Sequence, residues 1–306
     1  MTSEVESIVS RAKSKRNLKR QNMLQVIGFG LVWLCGLIAL AAVFWIIGYV
    51  LTQGVQVINL AFLTTRPAGG VSGEGGMSTT IVTTLYLVIL TIVIATPLGV
   101  GAAIYLVEYA GDASRESKVV SFLVKAARTG VEILAGVPSI IFGLFGFALF
   151  VLYMKLGFSL LSASLSGAAL VLPTIIRTSE EALLTVPRSY REGSLSLGAT
   201  KWYTIFNVVL PSAMPGIVTG IVLSVGRIIA ETAIFWVTLG GSYHLPKTIM
   251  NSGRSMALHV YMLASETRAF DKAMGTAAIL IVTIILLNLS INLLSRRLTT
   301  RLTGKV

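Results

Sequence analysis

Thiol and imidazole chemistry is nearly absent from this chain: its 306 residues include one cysteine and two histidines. A lone Cys35 inside an apolar run supports neither a disulfide framework nor a thiolate metal site. His244 and His259 stand 15 apart in a predicted outer loop with no carboxylate pattern around them, so both read as loop or interfacial histidines rather than metal ligands. Charge is scarce as well, at 12% of residues, and uneven in sign, with 25 Lys and Arg against 13 Asp and Glu. A nucleotide site is also missing. The nearest thing to a phosphate-binding loop, GSYHLPKT at 241–248, carries Pro246 where the second glycine belongs, and proline has no N–H to offer a phosphate. No Ser-His-Asp or Cys-His constellation stands out, which argues against an intramembrane enzyme.

What the chain has instead is apolar length. Hydrophobic residues make up 54% of it, and the mean hydropathy is +0.82. Runs of about 18–20 uncharged residues mark spanning helices, because a hydrocarbon core about 30 Å thick must be crossed with every backbone group bonded internally. Runs 23–51, 79–107, 133–154, 156–176 and 273–295 meet that description, and a sixth, 213–240, is interrupted by Arg227 and Glu231. The expectation is an all-α integral membrane protein, a six-helix bundle over 23–295 between a basic tail, 1–22, and a C-terminal tail, 296–306. The first run has 29 residues, too long for the apolar core of a signal peptide, so it reads as a retained anchor.

Orientation follows from the basic residues. With the N-terminus inside, the segments 1–22, 108–130, 177–211 and 296–306 fall on the inner side and hold 18 of the 25 Lys and Arg. The positive-inside rule then places both termini in the cytoplasm. A basic chain of this kind meets anionic lipid, not nucleic acid. The first outer loop, 52–78, contains RPAGGVSGEGG, whose glycines imply a backbone that is either mobile or closely approached. Pro97 with Gly99, and Pro138 with Gly136, Gly143 and Gly146, read as bends and close-packing points within spans. The third and fourth runs, parted only around Lys155 and Gly157, form an antiparallel hairpin, and a long outer segment, 241–272, precedes the last helix.

One polar stretch does not fit a bundle of spans. The segment 178–191 reads as a helix that leaves the membrane and stops at Pro187, and 192–211, EGSLSLGATKWYTIFNVVLP, then resumes as two short helices meeting at Gly198, where glycine permits a left-handed turn. An aromatic cluster with a basic edge on the cytoplasmic side reads as a protein-docking surface. The alternative is an amphipathic helix lying in the headgroups.

The spacing of that stretch carries a resemblance. Glu192-Gly193-Ser194, three residues, Gly198, nine residues, then Val208-x-Leu210-Pro211 resembles the coupling-loop signature of ABC importer permeases, E-A-A-x3-G-x9-I-x-L-P. Gly193 and Ser194 replace the two alanines and Val208 the isoleucine. TPLGVGAAIYLVEYA at 96–110, LAGVPSIIFGLFG at 134–146, LPTIIRTSEEAL at 172–183, YREGSLSLGATKW at 190–202 and RIIAETA at 227–233 look like the permease of the phosphate-specific transport system, PstA-type, with Ala230 departing from an expected glycine. The resemblance implies a type I importer fold in which a coupling loop within 178–211 inserts into a cytoplasmic ATPase and passes its closure to the membrane helices. Glu192, Gly193, Gly198, Trp202, Leu210 and Pro211 would carry that coupling. It also implies a homologous PstC-like permease, a PstB-like ATPase dimer holding ATP and magnesium, and a PstS-like phosphate-binding protein meeting loops 52–78 and 241–272.

Arg227 and Glu231 lie four apart in an expected span, hence on one helical face with Gly216, Gly220, Ser224 and Thr238. A charge at bilayer depth costs about 2.5–3.5 kcal/mol even on lenient scales, so such a stripe faces the bundle or a wet cavity. In a phosphate permease Arg227 would offer a forked contact to the anion, with Glu231 holding the guanidinium; the alternative is a structural ion pair. Arg177 and Glu180, at the inner end of the fourth span, form a second candidate pair on the substrate path. Two other functions stay open at this point: a permease for molybdate, sulfate or a polar solute, and a secondary transporter or channel that needs no ATPase.

Overall fold

Side chains that offer no hydrogen bonds leave the backbone to satisfy itself, and helix is the local solution. The computed structural model describes the backbone of residues 2–68, 73–110, 118–267 and 269–303, and the side chains of 25–68, 73–110, 118–267 and 269–293. Two units emerge, Met1–Thr52 and Gln53–Val306. Helix α1 (Thr2–Val55) runs through the first. Its stretch Gln25–Val55 is long and apolar enough to cross a membrane, and every side chain from Gln25 to Ile46 is exposed. A helix apolar on all faces over that length has the composition of a membrane span. The basic side chains of 1–22 and the side chains of 296–306 lie outside the described residues.

The second unit holds helices α2 (Leu60–Thr64), α3 (Ser78–Tyr109), α4 (Lys118–Gly136), α5 (Ser139–Tyr153), α6 (Leu160–Thr185) and α7 (Arg188–Ser196). Then follow α8 (Lys201–Ala230), α9 (Ala233–Thr238), α10 (Met256–Glu266) and α11 (Phe270–Thr303). Polar side chains start several of them. Asn59, Ser159, Thr200 and Ser255 each accept the N–H three residues on, at α2, α6, α8 and α10. Helix α6 is the centre of the bundle, packing against both α3 and α8, and α8 packs in turn on α11. Leu87, Ala95, Val171, Ile175, Ile228 and Phe235 belong to the resulting core. Small residues set the approach: a β-carbon at Gly99 would overlap Ile175, and one at Gly220 would overlap Thr178.

Four expectations change. The predicted third span, 133–154, is broken, because Pro138 lacks an N–H and forces its neighbour out of helical geometry; α4 and α5 meet there at 107°. Among the described residues five helices are therefore long enough to span, or six if the bent pair is one span. The predicted sixth run, 213–240, starts at Lys201 and stops at Ala230, since Glu231 is extended (φ −72°, ψ 131°) with its N–H bonded to Ile228. The predicted span 156–176 instead runs from Leu160 to Thr185.

The fourth change concerns the predicted outer segment 241–272, whose described residues are partly helical, and His259 is buried on α10 instead of lying in a loop or interface. Its neighbour is a buried Arg254, whose Nε and Nη2 donate to the Gly241 carbonyl at 3.1 and 2.8 Å while Nη1 lies 3.3 Å from His259 Nδ1. The guanidinium also sits 4.1 Å from the centre of the Tyr243 ring. His259 is outside the membrane-spanning helices, and burial, with Arg254 second, pushes its pKa down to about 3. The glycine-rich loop is of the closely approached kind where it is described: Gly76 backs onto the Phe62 carbonyl, and Ala68 N–H bonds Glu74 at 2.8 Å.

Candidate functional site

Helices α3 and α6 end, and α8 begins, at one end of the second unit, and the polar stretch projects there. Thr185 is the last helical residue of α6; Val186 and Pro187 are extended, and Pro187, free of any N–H to leave unbonded, opens α7. The helix closes in a left-handed turn at Gly198, φ +84°. Gly198 N–H donates to Leu195 at 2.9 Å and Ala199 N–H to Ser194 at 3.2 Å, the paired bonds that satisfy the last carbonyls of a glycine-terminated helix. Thr200 then caps α8, and the hydroxyls of Ser194 and Thr204 meet at 2.8 Å across the hairpin. Two helices joined at Gly198 are as expected; the second is not short, since it continues through a π-helical turn at 205–209 into the span ending at Ala230.

The tip is open and apolar. Leu197 is 90% exposed and Trp202 64%, with Leu195 and Tyr203 beside them and the Trp202 and Phe206 rings 4.2 Å apart. Glu192, Gly193 and Gly198 are exposed on the same hairpin, with nothing within 4 Å of where a β-carbon would stand at either glycine. Leu210 and Pro211 differ. Both are half-buried inside α8, Leu210 packing on the cluster of Leu183, Ile205 and Val209, so they sit where the hairpin enters the bundle and not on its outer face.

Two residues the sequence reading did not single out anchor this hairpin. Arg191 donates from Nε and Nη2 to Glu108 Oε1 at 3.0 and 2.7 Å, from Nη1 to the Val186 carbonyl at 2.8 Å and from Nη2 to the Leu183 carbonyl at 2.9 Å. Glu108 lies in the π-helical turn that ends α3. The available signal was an isolated glutamate ending an apolar run, but 83 residues separate it from its partner. Lys201 reaches over the Tyr109 ring at 4.8 Å, and a cavity of about 470 Å³ beneath the hairpin is lined by Glu108, Arg188, Arg191, Glu192 and Lys201.

The intramembrane charges are arranged differently from the expected stripe. Gly216 and Gly220 face Ala182 and Thr178 of α6, and Ser224 is buried, so these are packing contacts. Arg227 departs from them, its side chain 40% exposed, and its Nε is 4.0 Å from the carboxylate of Glu231, 14% exposed, just beyond the helix end. Thr238 is buried on the separate helix α9. Arg177 and Glu180 do not pair. Glu180 takes Arg128 at 2.8 Å, while Arg177 contacts Glu181 at 3.5 Å and Glu132 at 3.8 Å, around a cavity of about 200 Å³. The four-residue spacing of Arg177 and Glu181 fits one helical face better than the three of Arg177 and Glu180, and α4, unforeseen as a helix, supplies the other partners.

A helical membrane bundle with a glycine-centred hairpin standing out of one end is the plan of a type I ABC importer permease. The chain belongs to the family of binding-protein-dependent transport system inner membrane components, which matches residues 113–304. Among its relatives, phosphate transport system permease protein PstA 1 of Mycobacterium tuberculosis is 35% identical over 259 residues, covering 83% of this chain and 82% of that protein. The probable ABC transporter permease protein YqgI of Bacillus subtilis is 30% identical over 291 residues, 90% of this chain and 96% of the relative. The crystal structure of a bacterial alginate ABC transporter in complex with alginate pentasaccharide-bound periplasmic protein shares the fold, with a TM-score of 0.62 at 18% identity over 87% of this chain and 95% of that one. The PstA-type resemblance of the quoted segments is borne out.

Proposed function

We propose that this chain is the membrane permease of an ATP-driven importer of inorganic phosphate, with the hairpin 188–211 docked on a cytoplasmic ATPase. The observation that carries the reading is the hairpin itself: an exposed apolar tip on a glycine-terminated helix, at the E-G-S-x3-G-x9-V-x-L-P spacing, in a chain similar to a phosphate permease. Large exposed apolar side chains on a polar segment lower their free energy when a partner covers them. ATP and magnesium belong to that partner. Both termini lie in the cytoplasm, and the opposite end, formed by 52–78 and 241–272, meets an extracytoplasmic phosphate-binding protein. A homologous permease completes the pathway beside Arg227, whose exposed guanidinium can fork onto phosphate oxygens while Glu231 holds it back from binding too tightly.

Uptake of labelled phosphate at micromolar concentration, in cells with no second phosphate importer, tests this. Loss on deletion of the chain, with competition by arsenate but not by sulfate or molybdate, is the expected result. Competition by sulfate or molybdate would move the substrate to another oxyanion, and unchanged uptake would remove phosphate altogether. Arg227→Gln should assemble normally and slow uptake by about tenfold or more, the value of one charge-assisted contact.

A further inference from the structure

We infer that the Arg191 to Glu108 contact is the joint through which the hairpin moves α3 and α6, a positioning role separate from docking at the tip. It rests on the reading of 188–211 as the ATPase-docking segment. Helix α7 has nine residues and none is buried, too few to be held by its own hydrogen bonds or by packing. What fixes it is polar. One guanidinium on α7 bonds the carboxylate at the end of α3 and the carbonyls of Leu183 and Val186 at the end of α6. The Val186 carbonyl lies among the groups a helix leaves without partners at its C-terminus, and the Leu183 carbonyl is shared with the Val186 N–H at 3.4 Å; a cation there is also favoured by the helix dipole. Arg191 and Glu108 are 19% and 8% exposed, so water competes little for the bonds. The Ser194 to Thr204 contact ties the same helix to α8. A push on the tip therefore enters three helices together, and Arg191 supplies the link to two of them.

Lysine cannot replace this link. It carries the charge as a point and lacks the planar fork that reaches three acceptors in fixed directions. A chain with a loosened joint should still dock the ATPase, because Leu197 and Trp202 are untouched, yet the membrane helices should no longer follow ATPase closure.

Arg191→Lys, Glu108→Gln and the double variant, each in the complete importer reconstituted in vesicles with its ATPase and phosphate-binding protein, test the joint. ATPase capture, ATP hydrolysis and phosphate uptake are read together. The expected result is capture within about twofold of the unmodified chain and phosphate moved per ATP lower by about tenfold or more, the loss equivalent to one charge-assisted bond. The double variant should be no worse than Arg191→Lys alone, which already loses the Glu108 contact. Phosphate per ATP unchanged in Glu108→Gln, the milder substitution, would overturn the inference. So would a loss of capture that accounts for the whole loss of uptake. Failure of the unmodified chain to capture ATPase or to take up phosphate would instead overturn the reading on which the joint rests.

Discussion

Both ends of the second unit bury paired polar groups, but the hairpin end also leaves large apolar side chains in the open. At the opposite end from the hairpin, Arg254 and His259 are buried and in contact, Arg254 donates to the Gly241 carbonyl, and Thr79 and Thr84 tie α3 to Tyr243 and Met256. At the hairpin end, large apolar side chains are left in the open while Arg191 and Glu108 lie underneath. Polar groups buried and paired hold a structure in one arrangement. Apolar groups exposed on a small, glycine-hinged element wait for something to cover them. The first end is therefore expected to set stability, and the second to set coupling.

Substitutions should separate the two. The largest effect on stability is expected from Arg254→Met, which keeps the apolar stem but leaves the Gly241 carbonyl unbonded, at a cost of about 3 kcal/mol. Thermal unfolding in detergent would read it, and ATPase capture per folded molecule should not change. Next comes acid. His259 stays neutral in the folded chain down to about pH 3, against 6.5 as its ordinary value. Because the unfolded chain takes up a proton first, the contribution of neutral His259 is fully present above pH 6.5 and is lost as pH falls from there toward 3. Between pH 6.5 and 5 the loss is about 2 kcal/mol, and His259→Gln should flatten that slope in unfolding curves. The smallest effect is expected at the hairpin: Gly198→Val forces a branched residue to φ +84°, costing about 1–2 kcal/mol confined to the turn. Global unfolding should hardly shift, while ATPase capture falls. Equal loss of capture from Arg254→Met and Gly198→Val would erase the distinction between the ends.

Much of this was legible in the sequence, and the gaps have physical causes. Apolar runs located the spans because lipid imposes length and composition, and the turn at Gly198 could be read because few residues accept positive φ. The break at Pro138 was half-read: a proline signals a bend, but only the packing of α4 and α5 fixes an angle of 107°. Helix α8 was cut short in the sequence reading because its first ten residues, KWYTIFNVVL, mix a lysine, polar and aromatic residues with the aliphatic ones, though they continue the span without interruption. Arg227 and Glu231 were correctly placed as neighbours, yet the helix ends between them, and no local pattern announces that. Pairings across the chain were out of reach altogether. Arg128 with Glu180, Arg191 with Glu108 and Arg254 with Gly241 depend on which elements meet and how the loop between α9 and α10 folds, information carried by topology and not by spacing.

The central claim is that the exposed tip of the hairpin transmits ATPase closure for phosphate import. The most direct measurement is labelled phosphate uptake by the Leu197→Ala, Trp202→Ala double variant and by Arg254→Met, each normalised to the amount of folded chain in the membrane. Uptake lost in the first and retained in the second is the predicted result. Retained uptake in the tip variant, with ATPase still bound, would contradict the account.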